Sequence, residues 1–226
     1  MAAKRSGARG KRSRLTSEPV QEPSGESPLS RERIVATAVD LLDAQGLDGL
    51  TMRRLADRLG SGVMSLYWHV DSKEDVFDLA LDSVLDYRGP PEMAEPQNWR
   101  AEIVHMLEDW RAGMLRHPWS ASLLPRRALG PNILGRLERM SKILSRAGVA
   151  DADMNAAIWS LWNYVMGATV TRASFDLSDD DRAAAQQRLT SERYLTIERS
   201  RLLLDNDWDG AFRKGLDFLL DGLSRG

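Results

Sequence analysis

Residues 51–70 restrict the fold of this chain more than any other stretch. In Thr51-Met52-Arg53-Arg54-Leu55-Ala56-Asp57-Arg58-Leu59-Gly60, Leu55, Ala56 and Leu59 share one helical face. Thr51 suits the N-cap and Gly60 the stop. A shorter helical segment over about 63–69 follows, opening on small side chains and closing on Leu66-Tyr67-Trp68-His69-Val70. Two short helices joined by a tight turn are the pattern of a helix-turn-helix, whose second helix fits the DNA major groove.

The flanking sequence extends this reading. Ser30 is a predicted N-cap for a helix to Gln45, closed by Gly46, with Ile34, Ala38, Leu41 and Leu42 on one face. Ser72 and Asp75 form a variant capping box, Asp replacing the usual Glu, and open a helix to about Leu85. Arg88-Gly89-Pro90-Pro91 through Pro96 marks a domain boundary. Beyond Asn98 the pattern stays helical. Trp99, Ile103, Met106, Leu107, Trp110, Met114 and Leu115 make an apolar stripe, which His117-Pro118-Trp119 interrupts. A short helix near 121–128 follows, then one from Pro131 to Gly148 and a long one from Asp151 to about Phe175. An acidic loop over 176–181 precedes helices at about 191–204 and 209–223.

No stretch alternates convincingly with period two, and no internal repeat is seen. The expected fold is all-α. An N-terminal three-helix head carrying the helix-turn-helix spans 30–86, and a larger helical domain spans 87–226. The long helix and the last one, with Phe212, Leu216, Leu219 and Leu220, are expected to build a four-helix dimer interface.

Charge and composition set limits on function. The 226 residues hold no cysteine, which removes disulfides and thiolate metal sites and fits a cytoplasmic location. No apolar run approaches the ~18 residues of a membrane span, and the basic start lacks the apolar segment of a signal peptide. The formal net charge is only −2. Yet Lys4, Arg5, Arg9, Lys11, Arg12 and Arg14 crowd the first fourteen residues with no acid among them, so the rest is acidic on balance. Residues 1–29 carry no hydrophobic periodicity and read as a disordered basic arm. Such an arm is either a solvated tail or a DNA contact whose arginines enter the minor groove beside the head.

Leu50-Thr51-Met52-Arg53-Arg54-Leu55-Ala56, Leu59-Gly60, Ser65-Leu66-Tyr67-Trp68-His69-Val70 and Lys73-Glu74-Asp75 together carry a resemblance. At these spacings residues 30–86 resemble the DNA-binding domain of the TetR family of bacterial repressors. The helical remainder, including Arg116-His117-Pro118-Trp119, resembles the effector-binding and dimerisation domain of the tetracycline-repressor branch. The resemblance implies a homodimer on double-stranded operator DNA that responds to a small-molecule effector. By position, it places Thr51 and Arg53 near the backbone and groove edge. It turns Gly62, Val63, Met64 and Ser65 toward the major groove and gives Tyr67 and Lys73 phosphate contacts.

The physics of those residue types agrees. A phenol and an ammonium donate to phosphate oxygens and position a protein without reading sequence. Small or apolar groups at 62–65 can meet thymine methyls but supply few base hydrogen bonds, so Arg53 and the arm are expected to carry much of the readout. Leu66 reads as core, Trp68 is a candidate for the same core, and Tyr67 suits either core or phosphate.

The larger domain is rich in big, soft side chains. They suit an ordinary core, and equally a mostly apolar cavity for a small ligand. His105, Trp110, Met114, Trp119, Trp159, Trp162, Asn163 and Met166 are the candidates to line it. Thr169 and Arg172 could orient a ligand, and Arg126 and Arg127 could flank an entrance. Two other functions fit the residues less well. Glu102-x-x-His105 resembles half of a di-iron site, but no second Glu-x-x-His completes it. No phosphate loop or Ser-His-Asp set appears, so no catalytic residue, metal or cofactor is expected. A helical adaptor with a basic tail for membranes or nucleic acid would lack sequence-specific DNA affinity, and no membrane partner is expected.

Overall fold

The computed structural model describes residues 28–87, 99–127, 129–175, 178–189, 194–200 and 207–223. The basic arm lies outside these residues. Helices follow in the order α1 (Arg31–Gly49), α2 (Met52–Arg58), α3 (Val63–Leu66), α4 (Lys73–Val84), α5 (Trp99–Arg116) and α6 (Pro118–Leu123). After a 3-10 turn at Leu124–Arg126 come α7 (Pro131–Arg146), α8 (Asp151–Ser174), α9 (Asp179–Leu189), α10 (Leu195–Ser200) and α11 (Trp208–Leu223). Among the described residues there is no strand.

Three of the first four helices, α1, α2 and α4, start where a side-chain cap dictates. Ser30, Thr51 and Ser72 each accept a hydrogen bond from the backbone N–H three residues on, at 3.3, 3.2 and 3.0 Å. Asp75 does not close a regular capping box. Its carboxylate reaches one residue further back, to the Asp71 N–H at 3.1 Å. Gly46 adopts φ 67°, which breaks α1 as its sequence suggests, but a further turn follows to Gly49. α4 packs along α1, and their Ile34, Ala38, Leu42, Val76, Ala80 and Leu81 join Leu55 and Leu66 in the head core.

The body is built around α5, α7 and α8, with α11 against α8 and α5. Ile103, Met106, Leu107, Trp110, Met114, Met140, Ile143, Leu144, Leu161 and Val165 are wholly buried. Phe212, Leu216 and Leu220 lie in this same core, so they stabilise the single chain rather than face a second one. Arg111 of α5 donates to Asp209 at 2.7 Å, and Arg100 and Arg213 pair with Asp221 and Glu108, tying α11 to α5.

Two boundaries depart from the sequence reading. The stripe of α5 is interrupted at His117-Pro118 as expected, but Pro118 itself opens α6, because at the first helical position its missing N–H costs nothing. The helix expected near 121–128 is therefore shifted toward the N-terminus. Of the acids expected in a loop over 176–181, Asp179, Asp180 and Asp181 fall in the first turn of α9, where the helix dipole favours them, and Asp176 lies outside the described residues. Of the helix expected over 191–204, α10 covers Leu195–Ser200, and residues 191–193 and 201–204 lie outside the described residues.

Several charges sit inside the body. Glu102, 5 % exposed, accepts from Arg139 at 2.9 Å and Arg146 at 2.6 Å, joining α5 to α7. Removing one partner of a buried pair strands the other charges. Glu102→Ala is expected to cost about 3 kcal/mol in urea unfolding; a loss below about 1 kcal/mol would show the arginines simply turning to solvent. Asp209 titrates below the usual carboxylate range because Arg111 donates to it. Its contribution is full above the ordinary aspartate range and fades as pH falls through the lowered value. Asp209→Asn should thus remove part of the protein's acid sensitivity, read as unfolding midpoint against pH.

Candidate nucleic-acid interface and effector core

The helix-turn-helix is short and tightly determined. Leu59 caps α2, and Gly60 at φ 64° turns the chain, a backbone conformation that side chains disfavour. α3 regains helix at Val63 but keeps only four residues of it. The segment expected to be helical through His69 continues as a turn, with His69 N–H donating to Leu66 at 2.8 Å. Leu66 is fully buried and anchors α3 to the head.

Around that anchor the side chains point outward. Met64 is 75 %, Tyr67 44 % and Trp68 87 % exposed. Arg53, Gly62 and Ser65 are exposed too, and Val63 is half-buried. Trp68 is therefore not core. It lies in the turn after α3, between Leu66 and Val70, which take the buried places on either side of it. Thr51, also exposed, uses its oxygen as the α2 cap acceptor, which leaves its hydroxyl hydrogen for another partner. Lys73, half-buried, lies 5.2 Å from the Phe77 ring.

The effector candidates divide into several groups. Trp110 and Trp162 meet edge to face with centroids 5.0 Å apart, and Trp159 follows Trp162 at 5.6 Å. This row crosses from the core to the outer face of α8, where Trp159 is half exposed and Asn163 faces solvent. Met114 and Met166 are buried in the same body core. Trp119 lies apart, at the junction with the head. Its indole N–H donates to Asp43 of α1 at 2.7 Å, and His117 meets the same carboxylate at 2.8 Å.

His105 is exposed and meets the Tyr87 hydroxyl at 3.0 Å, while Glu102 is spent on two arginines, so the two do not form half a metal site. Burial pushes the Tyr87 phenol up. Arg127 pairs with Asp78 at 3.1 Å and donates to the Glu74 carbonyl at 3.1 Å, both on α4. Thr169 is buried with its hydroxyl turned back on the Val165 carbonyl, and Arg172 is exposed.

Two buried polar atoms stand out in the body. Trp110 Nε1 and Ser120 Oγ have no hydrogen-bond partner among the described residues. A buried donor left unpaired costs about 1–3 kcal/mol. Arg136 is 3 % exposed and donates to the Met106 and Leu85 carbonyls and to Asp109, at 2.9–3.0 Å. Burial lowers its guanidinium pKa from the ordinary value, and the Asp109 hydrogen bond opposes that.

Sequence reasoning missed Asp43, Asp82 and Arg136, whose partners lie tens of residues away. One signal was available. α7 opens on Gly130-Pro131 with no capping side chain, so its first N–H groups need an acceptor from elsewhere.

A helix-turn-helix with an exposed second helix, carried on a larger helical body, defines a DNA-binding regulator. The chain belongs to the TetR family: residues 34–80 match the model of bacterial regulatory proteins of the tetR family, and residues 91–225 match the tetracyclin repressor-like C-terminal domain. An HTH-type transcriptional regulator of Saccharopolyspora erythraea is 37 % identical over 87 % of this chain and 85 % of that protein. ActR of Streptomyces coelicolor, solved with actinorhodin, is 30 % identical over 88 % of this chain and 96 % of its own, with TM-score 0.72. BioQ with its double-stranded DNA operator is 28 % identical over 88 % of this chain and 100 % of its own, with TM-score 0.62.

The unequal burial of Leu66 on α3 and Trp68 in the turn after it can be measured. Leu66→Ala is expected to cost about 2–5 kcal/mol of stability, and Trp68→Ala less than about 0.5 kcal/mol, both by chemical denaturation. Equal losses would place Trp68 inside after all.

Proposed function

We propose that this chain represses transcription as a homodimer on operator DNA, and releases that DNA when a small, largely apolar molecule enters the body. The observation that carries this reading is the outward face of α3 and the turn after it, where Met64 and Trp68 are 75 % and 87 % exposed. A soluble head does not otherwise gain by holding large apolar side chains in water. Gly62, Val63, Met64 and Ser65 then approach base edges, and Tyr67 and Lys73 hold phosphates. Thr51 and Arg53 meet the backbone and groove edge. Lys4, Arg5, Arg9, Lys11, Arg12 and Arg14 would add phosphate or minor-groove contacts from the arm. BioQ with its operator is a DNA-bound relative of the same fold.

The effector reading rests on the unpaired Trp110 N–H in a core of Met114, Trp162 and Met166. ActR, solved with actinorhodin, supports a ligand held in a body of this kind. Of the eight candidates, these four are retained. Trp159 and Asn163 serve the dimer instead. They lie on an exposed, uncharged face of α8 with Ala156, Ser160, Gly167 and Val170, and Phe218 of α11 is likewise exposed. The ligand needs a higher affinity for the released state, and a coupling of about 1–3 kcal/mol is typical. The chain acts in the cytoplasm, as a regulator and not as an enzyme.

A gel shift on the DNA upstream of the protein's own gene, with excess scrambled duplex at stated salt, tests the reading. A shift that survives the competitor is expected. Loss of the shift, followed by failure of random-sequence selection to yield a preferred site, would overturn it. In the same assay Tyr67→Phe should weaken operator and scrambled duplex alike. Deleting residues 1–28 should flatten the salt dependence, by about 0.9 in slope for each phosphate that the arm neutralises. Trp110→Phe, which removes the indole N–H, should leave operator binding intact and blunt release by any effector found.

A further inference from the structure

We propose that Asp82 is the positioning residue that sets the angle between the DNA-reading head and the body, by supplying the N-terminal cap that α7 lacks. This inference rests on the reading above. Asp82 lies on α4, the last head helix, and is 7 % exposed. Its carboxylate accepts from Asn132 N–H at 3.0 and 3.2 Å and from Ile133 N–H at 3.2 Å. In return the Asn132 amide donates to the Asp82 carbonyl at 3.1 Å. A helix end leaves its first N–H groups unpaired, and a carboxylate there is favoured by both hydrogen bonding and dipole. α7 obtains this from a different domain, 50 residues away in sequence.

The fit is close. At Gly130, the N-cap of α7, an added Cβ would sit 2.3 Å from an Asp82 carboxylate oxygen, so no larger residue is accommodated without displacing it. The contact is one of a row along α4. Arg127 holds Glu74 and Asp78, and Arg136 holds the Leu85 carbonyl. Hydrogen bonds are directional, so together they fix orientation where an apolar contact alone would permit sliding.

The row also leads inward. Arg136 stands 5.3 Å from the Trp110 ring, and Met140, Ile143 and Leu144 of the same α7 lie in the body core. A molecule that displaces α7 therefore moves the cap and, through Asp82, the head.

The chain has no cysteine, so single labels can be placed at will. Spin labels at Asp57→Cys in the head and Glu138→Cys on α7, diluted with unlabelled protein, report the head–body distance directly. Asp82→Ala is expected to broaden that distribution, Asp82→Asn to broaden it less, and Gly130→Ala to resemble Asp82→Ala. The double variant should be no worse than either, because both break one contact. Circular dichroism checks that the variants are folded. An unchanged distribution in folded Asp82→Ala and Gly130→Ala overturns the proposal.

On DNA, Asp82→Ala should weaken operator binding about tenfold and reduce discrimination against an operator with one base pair added between half-sites, with scrambled duplex unaffected. Equal weakening on all duplexes, with spacing discrimination kept, also overturns it. A wild-type protein with no sequence preference would sink the repressor reading, while the distance measurement still decides the role of Asp82.

Discussion

α4 belongs to two structures at once, and the rest of the molecule depends on that. With Val76, Ala80 and Leu81 it closes the head core against α1. Along another row it meets the body through Asp78, Asp82 and the Leu85 carbonyl. Apolar burial is strong and non-directional, so it makes the head one firm unit. The joint adds directional polar contacts to the shared apolar core, and hydrogen bonds tolerate little displacement before they break. A rigid reader on a joint with defined alternatives is what a two-state response requires. On the opposite side, Asp43 of α1 receives His117 and Trp119, so α6 grips the head as well.

The body holds its charges at a cost. Glu102 between Arg139 and Arg146, and Arg136 against Asp109, are expensive to desolvate, and apolar replacements of the same shape are often as stable. What these groups add is register. Each ties a point on α7 to a point on α5, and Arg136 adds the end of α4. Sliding α7 by a turn would break all of them together.

Much of the fold was legible because it is local. Ser30, Thr51 and Ser72 announce their helices through bonds spanning three residues, and Gly46 and Gly60 announce breaks through a φ that only glycine adopts freely. The family resemblance carried the helix-turn-helix further than periodicity did. Trp68 shows where periodicity stops: hydrophobicity says what a side chain prefers, not that the helix ends at Leu66 and the turn after it points Trp68 outward. Trp119 suits a pocket by its size, yet its position is set by an acceptor 76 residues upstream. Phe212, Leu216 and Leu220 are apolar and regularly spaced, which suits a dimer seam and an internal core equally well.

The outward face of α3 has a thermodynamic side. Met64, Tyr67 and Trp68 keep apolar surface in water throughout the free life of the protein. Whatever covers them removes that surface and so lowers the heat capacity, a signature that phosphate neutralisation by lysine and arginine does not produce. Two components of association are thereby separable, one that grows with temperature and one that shrinks with ionic strength. The uncovered state is also the less soluble one, so crowding the free protein risks self-association through the same three side chains that face outward.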